Sequence, residues 1–98
     1  MASNNGNRRG SKLSGRDAVA RVREELPQLL GRPIESVLGF ERSEDDGNWH
    51  VTVAVVEMSR IPPTTDVIGA YAVTLDSDGE LMGYRRVRRY HRNQADED

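Results

Sequence analysis

The sequence predicts an α+β domain in which one N-terminal amphipathic helix is followed by a four-stranded antiparallel β-meander. Apolar residues recur at helical spacing up to residue 30 and alternate with a period of two from residue 34 onward. Segments rich in aspartate and glycine separate the alternating stretches, as expected for tight turns between neighbouring strands. With 98 residues, the chain has room for a single small domain.

The helix is predicted to begin after Ser14, a suitable N-cap residue, with Asp17 three positions on to complete a capping box. Pro27 cannot donate a helical hydrogen bond, so we expect a kink or a break near it, and Gly31 is suited to end the helix. The apolar residues at helical spacing are Ala18, Val19, Val22, Leu26, Leu29 and Leu30.

The first two strands are predicted to form a hairpin around Asp46-Gly47. A two-residue loop there places Phe40 opposite Val53 and gives a return strand over residues 49–58. One side of the first strand then consists of Ile34, Ser36, Leu38 and Phe40.

The last two strands are predicted from Val67 to Leu75 and from Glu80 to about Tyr90, with a turn at residues 76–79. Two prolines make residues 60–66 a connector, whose polar side chains are expected to accept hydrogen bonds from backbone N–H groups. The apolar residues that these two strands are predicted to place on one face are Tyr71, Val73, Leu75, Met82 and Tyr84.

The domain is predicted to occupy residues 15–92. Residues 1–14 are rich in asparagine, glycine and serine, and we expect them to form a disordered N-terminal arm. Residues 93–98 are expected to form a disordered acidic tail for the same reason, because they have too little apolar surface to offset the entropy of ordering.

Composition excludes several kinds of site. The chain has no cysteine, which rules out disulfides, thiolate zinc sites and a cysteine nucleophile, and two histidines are too few for a histidine-rich metal site. The formal charge of −2 gives no reason to expect a nucleic-acid or membrane partner. With no signal peptide, no membrane-spanning segment and no catalytic motif in the sequence, we expect a cytoplasmic protein that is not an enzyme and holds no cofactor or metal.

The most informative segment is an arginine-rich run near the end of the fourth strand, with five arginines within residues 85–92. In a regular strand, Arg85 and Arg89 point to one face, while Arg86, Arg88 and Tyr90 point to the other. The candidate partner-binding residues are Arg85, Arg86, Arg88, Arg89, Tyr90 and Arg92, with Arg60 and Asp66 as weaker candidates.

Three interpretations of this run stay open at the level of sequence. It is a solvated edge strand protected by charge, a docking surface for an acidic protein partner, or a nucleic-acid-binding strand. Pairing between strand edges of two copies would also give a homodimer. The N–H donors of a guanidinium group match the geometry of both carboxylate and phosphate groups. The arginines alone therefore do not distinguish an acidic protein partner from a nucleic acid.

The order and spacing of several short segments resemble the gas vesicle protein O family between residues 15 and 92. The second strand departs from the family pattern at Ala54, where an acidic residue is expected, so that Glu57 is the only carboxylate of that strand. The segments that carry the resemblance are Trp49-x-Val51-x-Val53-x-Val55-Val56-Glu57, Arg60-Ile61-Pro62, Thr65-Asp66-Val67, Tyr71-x-Val73-x-Leu75-Asp76, Asp78-Gly79-Glu80, Tyr84-x-Arg86 and Arg89-Tyr90-x-Arg92.

The resemblance implies a non-enzymatic accessory protein that is required for gas vesicle assembly. Its partners would be other gas vesicle proteins, either of the shell or accessory, and it would act in the cytoplasm in association with the vesicle. A composition that is 36% hydrophobic and 31% charged is unsuited to a shell wall, whose inner surface must be very apolar. The alternative function is a small nucleic-acid-binding module that uses the same arginines.

Overall fold

One helix and a four-stranded antiparallel sheet make up the fold, as the sequence predicts. The computed structural model describes residues 13–97. A short 3-10 helix, Pro63–Thr65, lies between the second and third strands, and another, Arg92–Glu97, follows the fourth. The main elements are α1 (Gly15–Leu30), β1 (Ser36–Arg42), β2 (Trp49–Met58), β3 (Val67–Leu75) and β4 (Leu81–His91).

The predicted capping box is present at the start of α1. The Ser14 hydroxyl accepts a hydrogen bond from the Asp17 backbone, and the Asp17 carboxylate accepts one from the Ser14 backbone, both at 3.1 Å. The helix continues through Pro27 to Leu30, so it does not break at the proline. It ends at Gly31, whose φ of 73° lets its N–H donate to the Pro27 carbonyl at 2.8 Å.

The strands follow each other across the sheet in the order β1-β2-β3-β4, and α1 packs on one face, which we call the helix face. As α1 is the only α-helix within residues 13–97, no α-helix of that part covers the other face, which we call the open face. The buried core lies between α1 and the sheet and consists of Ala18, Val22, Leu26, Trp49, Val51, Val53, Val55, Val73 and Leu75.

The first hairpin differs from the prediction in its register. Phe40 pairs with Val51 and not with Val53, because the connecting loop has six residues, 43–48, and not two. The Asp46 side chain accepts a hydrogen bond from the Asn48 backbone at 2.9 Å, so the longer loop satisfies its own polar groups. The sequence predicts that Leu38 faces the core. A bulge at this residue turns its side chain away from the core instead.

The second hairpin also contains a bulge near its turn. Leu75 pairs with Leu81, so Met82 is left out of the ladder and is exposed, which makes the prediction for Met82 wrong. Tyr84 does share the helix face as predicted, since it pairs with Val73. The difference arises because the turn closes between Asp76 and Glu80, which brings the residue after Glu80 opposite Leu75.

The ends of the described chain take part in ordered structure. Leu13 packs against the core and Ser14 caps the helix, although both fall within the arm predicted from the sequence. A 3-10 helix over Arg92–Glu97 occupies most of the segment predicted as a disordered tail. The rest of the predicted arm, residues 1–12, lies outside the described residues, and the domain boundaries stay a prediction.

Candidate partner-binding surface

A β-bulge at Val87 determines which way the arginines of β4 point. Arg88 pairs with Ala70, whereas Arg86 pairs with Tyr71, so β4 has one residue more than β3 over this step. The extra residue, Val87, reverses the alternation of side chains beyond it.

The bulge groups the arginines differently from a regular strand. Arg86 and Arg89 share the helix face, while Arg85, Arg88 and Tyr90 share the open face. The prediction that Arg85 and Arg89 lie together, opposite Arg86 and Arg88, is therefore wrong. Both faces of β4 do carry arginine, but each face carries a different pair from the one expected.

On the helix face, the two arginines converge on a buried carboxylate. Glu57, whose side chain is 8% exposed, accepts a hydrogen bond from Arg86 at 3.0 Å, and its Oε1 lies 3.4 Å from Arg89 Nε. The hydroxyl group of Tyr71 donates to the other carboxylate oxygen. Gly69 lies beneath the carboxylate, where a Cβ atom would overlap with Glu57. Arg86 and Arg89 are therefore both paired with a carboxylate of their own domain.

The hydrogen bond to Glu57 also changes the acidity of the tyrosine. The hydrogen bond raises the pKa of the Tyr71 hydroxyl above its usual value, because ionisation removes the proton that is donated to Glu57. Partial burial and the negative charge of the carboxylate add to the effect. Glu57 itself lies at a bulge in β2, between Val56 and Met58. Arg32 donates to the carbonyl oxygens of Val56 and Glu57, at 3.2 and 2.7 Å, and satisfies the backbone there.

A second cluster of charges forms around Arg92 at the end of the sheet. Its guanidinium group donates two hydrogen bonds of 2.7 Å to Glu35 and one of 3.0 Å to Asp66. The other carboxylate oxygen of Asp66 accepts from the Arg60 backbone at 2.8 Å, as the sequence predicts for a polar side chain of the connector. The Ile61 side chain beside it is 98% exposed.

These contacts lower the pKa values of both carboxyl groups around Arg92. For Glu35 the main cause is the hydrogen bond from Arg92, and for Asp66 it is the hydrogen bond from the Arg60 backbone, followed by that from Arg92. A carboxyl group whose pKa is lower in the folded state stabilises the fold above its unfolded pKa of about 4. That stability is lost as the pH falls through the lower, folded pKa.

Replacing Arg92 with alanine is therefore expected to reduce stability at pH 7, and the difference from the unchanged chain should shrink below about pH 4. Urea unfolding followed by the fluorescence of Trp49, the only tryptophan, measures this at each pH. Arg23→Ala, an exposed change on α1, is the control and should have little effect. A stability difference for Arg92→Ala that does not change with pH would contradict the assignment.

The arginines of the open face have no comparable partners among the described side chains. Within residues 13–94, no carboxylate lies within ion-pair distance of Arg85 or Arg88. The guanidinium carbon of Arg88 lies 4.7 Å from the centre of the Tyr90 ring, a stacked arrangement that leaves the edge of the guanidinium group free to donate. Two cations are thus presented together on the side of the sheet that α1 does not cover.

The described residues contain no group of three or more histidine, cysteine, aspartate or glutamate side chains that could hold a metal ion. No helix among them is long and apolar enough to cross a membrane. The surface that stands out among the described residues is the arginine-bearing open face of a small α+β domain, whose two guanidinium groups have the chemistry to bind an anionic group.

The chain belongs to the family of the gas vesicle synthesis protein GvpO, whose model matches residues 1–96. This confirms the resemblance inferred from the sequence. No solved structure matches the chain.

Three curated relatives support the assignment. Gas vesicle protein O of Streptomyces sp. (strain CB03234) is 49% identical over 72 residues, which cover 74% of this chain and 55% of the relative. Gas vesicle protein O of Haloferax mediterranei is 38% identical over 82 residues, covering 84% and 58%. Gas vesicle protein O1 of Halobacterium salinarum is 39% identical over 82 residues, covering 84% and 67%. The chain therefore spans little more than half the length of the first two.

Sequence reasoning missed the acidic partners of the arginines. Glu57 carried a signal, since it is the only carboxylate of an otherwise apolar strand, and a buried acid requires a cation. Glu35 carried none, because it lies 57 positions from Arg92 in an unremarkable segment. The requirement for glycine at residue 69 depends on the position of the Glu57 carboxylate and was likewise not visible.

Proposed function

We propose that this chain is a non-enzymatic accessory protein of gas vesicle assembly, which acts by contacting other gas vesicle proteins of the shell or of the accessory set. Family membership supports the role in vesicle synthesis. The observation that carries the contact mechanism is the difference between the arginines of β4. Arg86 and Arg89 have a carboxylate partner inside the domain, whereas Arg85 and Arg88 have none among the described residues.

Within this proposal, the candidate residues divide by role. Arg86, Arg89 and Arg92 hold the domain together, and Asp66 assists Arg92. The contact with a partner is made by Arg85, Arg88 and Tyr90 on the open face, with the exposed side chain of Arg60 as a secondary contact.

The chemistry of a carboxylate-bearing partner suits these residues. A guanidinium group offers two parallel N–H donors that match the two oxygens of a carboxylate, and such bonds are stronger than those between neutral groups. Positive side chains on an otherwise slightly acidic chain also attract an acidic partner from a distance and orient it during the encounter. The protein would act at the vesicle during its assembly, in the cytoplasm.

Deleting the gene from an otherwise intact gas vesicle cluster tests the role in assembly. We expect the deletion strain to lose buoyancy and to lack vesicles in electron micrographs, and we expect the unchanged gene, supplied separately, to restore both. The control is an empty plasmid in the same strain. Undiminished vesicles in the deletion strain would contradict the proposed function.

A further inference from the structure

We propose that the open face of the sheet is the docking site for an acidic α-helix of a partner protein, whose carboxylates pair with Arg85 and Arg88. The inference rests on the proposed function and specifies the partner's chemistry and the surface that receives it.

The centre of the open face is a shallow trough, whose floor consists of small side chains. Thr52 pairs with Ala72, and Ala54 pairs with Ala70, so the four side chains form two adjacent rows across β2 and β3. The rows continue onto β4, where Ala72 faces Arg85 and Ala70 faces Arg88. We call Thr52, Ala54, Ala70 and Ala72 the trough floor.

Longer side chains form a wall along one side of the floor. Ala54 and Ala70 are only 2% and 4% exposed, although α1 lies on the opposite face. A methyl group on an uncovered sheet has this little exposure only when its neighbours extend above it. Arg88, stacked on Tyr90, stands beside Ala70 on the β4 side. The other side is low, because Gly39 is the β1 neighbour of the Thr52 row.

The spacing of Arg85 and Arg88 fits acids on one face of a helix. Arg85 and Arg88 lie opposite Ala72 and Ala70, which are two residues apart on β3, a separation of about 7 Å along a strand. Carboxylates at positions i and i+4 of an α-helix are separated by about 6 Å along its axis. A helix laid along the strands therefore brings acids at positions i and i+4 to the two guanidinium groups.

Two other occupants fit less well. Addition of an extended strand to the edge of β4 is opposed by the bulges at Met82 and Val87, which interrupt the ladder of backbone groups. A nucleic acid strand needs several exposed aromatic rings for stacking, and on β4 the open face offers only Tyr90, which Arg88 already covers.

Titration of the isotope-labelled chain with a helical peptide, followed by NMR, tests the docking site. The probe is an alanine-based peptide with glutamates at i and i+4, and its matched control has glutamine at those positions. We expect the glutamate peptide to shift the amide signals of the trough floor and of Arg85 and Arg88, and the glutamine peptide to leave them unchanged.

Two variants locate the binding charge. The double change Arg85→Glu and Arg88→Glu should weaken binding of the glutamate peptide at least tenfold, with the milder Arg85→Gln and Arg88→Gln pair as the substitute if the first does not fold. The double change Arg16→Glu and Arg23→Glu alters the net charge equally on the exposed side of α1 and should leave binding unchanged. Equal loss in both double variants would overturn the proposal, because it would reduce the effect to net charge.

Other results would also overturn it. These are no shifts with the glutamate peptide, equal shifts with the glutamine peptide, and larger shifts of the same amides with single-stranded RNA at equal concentration. Concentration-dependent shifts of the trough without any peptide would assign the face to a second copy of the chain.

An assay of vesicle formation distinguishes a wrong docking site from a wrong assembly role. If the unchanged gene restores vesicles to the deletion strain and the Arg85→Glu, Arg88→Glu gene restores them equally, the docking site is wrong while the assembly role stands. If the unchanged gene is dispensable for vesicles, the assembly role itself fails. We expect full restoration by the unchanged gene and by the α1 control, and none by the open-face variant.

Discussion

Replacing Leu26 with alanine is expected to lower the free energy of unfolding by about 3 kcal/mol. Leu26 is fully buried between α1 and the sheet, so its truncation removes apolar contacts and leaves a cavity that the surrounding core fills only in part. Domains of this size have a total stability of about 5–15 kcal/mol, so the change removes a large share of it. Urea unfolding followed by Trp49 fluorescence gives the value directly.

The same helix provides the control for this measurement. Leu29→Ala removes the same atoms from a side chain that is 55% exposed, so it should cost less than about 1 kcal/mol. Equal effects of the two substitutions would mean that α1 does not pack through Leu26. Because α1 is the only α-helix on the sheet within residues 13–97, the difference in unfolding free energy between the two variants measures how much the packing of α1 through Leu26 stabilises the fold.

Replacing Glu57 with alanine is expected to lower the free energy of unfolding by about 2–3 kcal/mol. The change leaves Arg86 and Arg89 side by side without the carboxylate between them, and it leaves the Tyr71 hydroxyl without its acceptor. Urea unfolding with the same fluorescence signal measures the loss. Glu41→Ala, at an exposed acid of β1, is the control and should change stability by less than about 0.5 kcal/mol.

A conservative variant separates the charge of Glu57 from its shape. Glu57→Gln keeps an oxygen for the Tyr71 hydroxyl but removes the negative charge, so its stability should fall between those of the unchanged chain and Glu57→Ala. The pKa of Tyr71, followed by NMR, should return towards its ordinary value in Glu57→Ala, which removes both the hydrogen bond and the neighbouring negative charge, and should return less far in Glu57→Gln, which keeps an acceptor. A Tyr71 pKa that stays raised in both would contradict the role assigned to Glu57.

The elements with the strongest alternation could be predicted closely from the sequence. The predicted bounds of β2, 49–58, and of β3, 67–75, agree with the structure, because both are central strands whose apolar residues repeat with a period of two. The start of α1 could also be predicted, since a capping box is a local signal that depends on Ser14 and Asp17 alone.

The errors in side-chain direction share one physical origin, which is the β-bulge. Bulges at Leu38, Met82 and Val87 each add one residue to a strand and reverse the faces of the residues beyond it. Where a bulge falls depends on how two strands fit together and on what packs above them, and no local sequence pattern specifies it. The position of the arginines in the last strand could therefore be predicted, while the direction of each arginine could not.

The charge clusters affect the point during synthesis at which the protein can fold. The three carboxylates involved, Glu35, Glu57 and Asp66, all precede the three arginines that neutralise them, which lie in β4 or directly after it. A nascent chain that ends before β4 has the acids and no matching cations, so the nearly buried Glu57 would oppose closure of the sheet. We therefore expect folding to be coupled to the arrival of the last strand, so that Arg85 and Arg88 are held side by side only in molecules whose fold is complete.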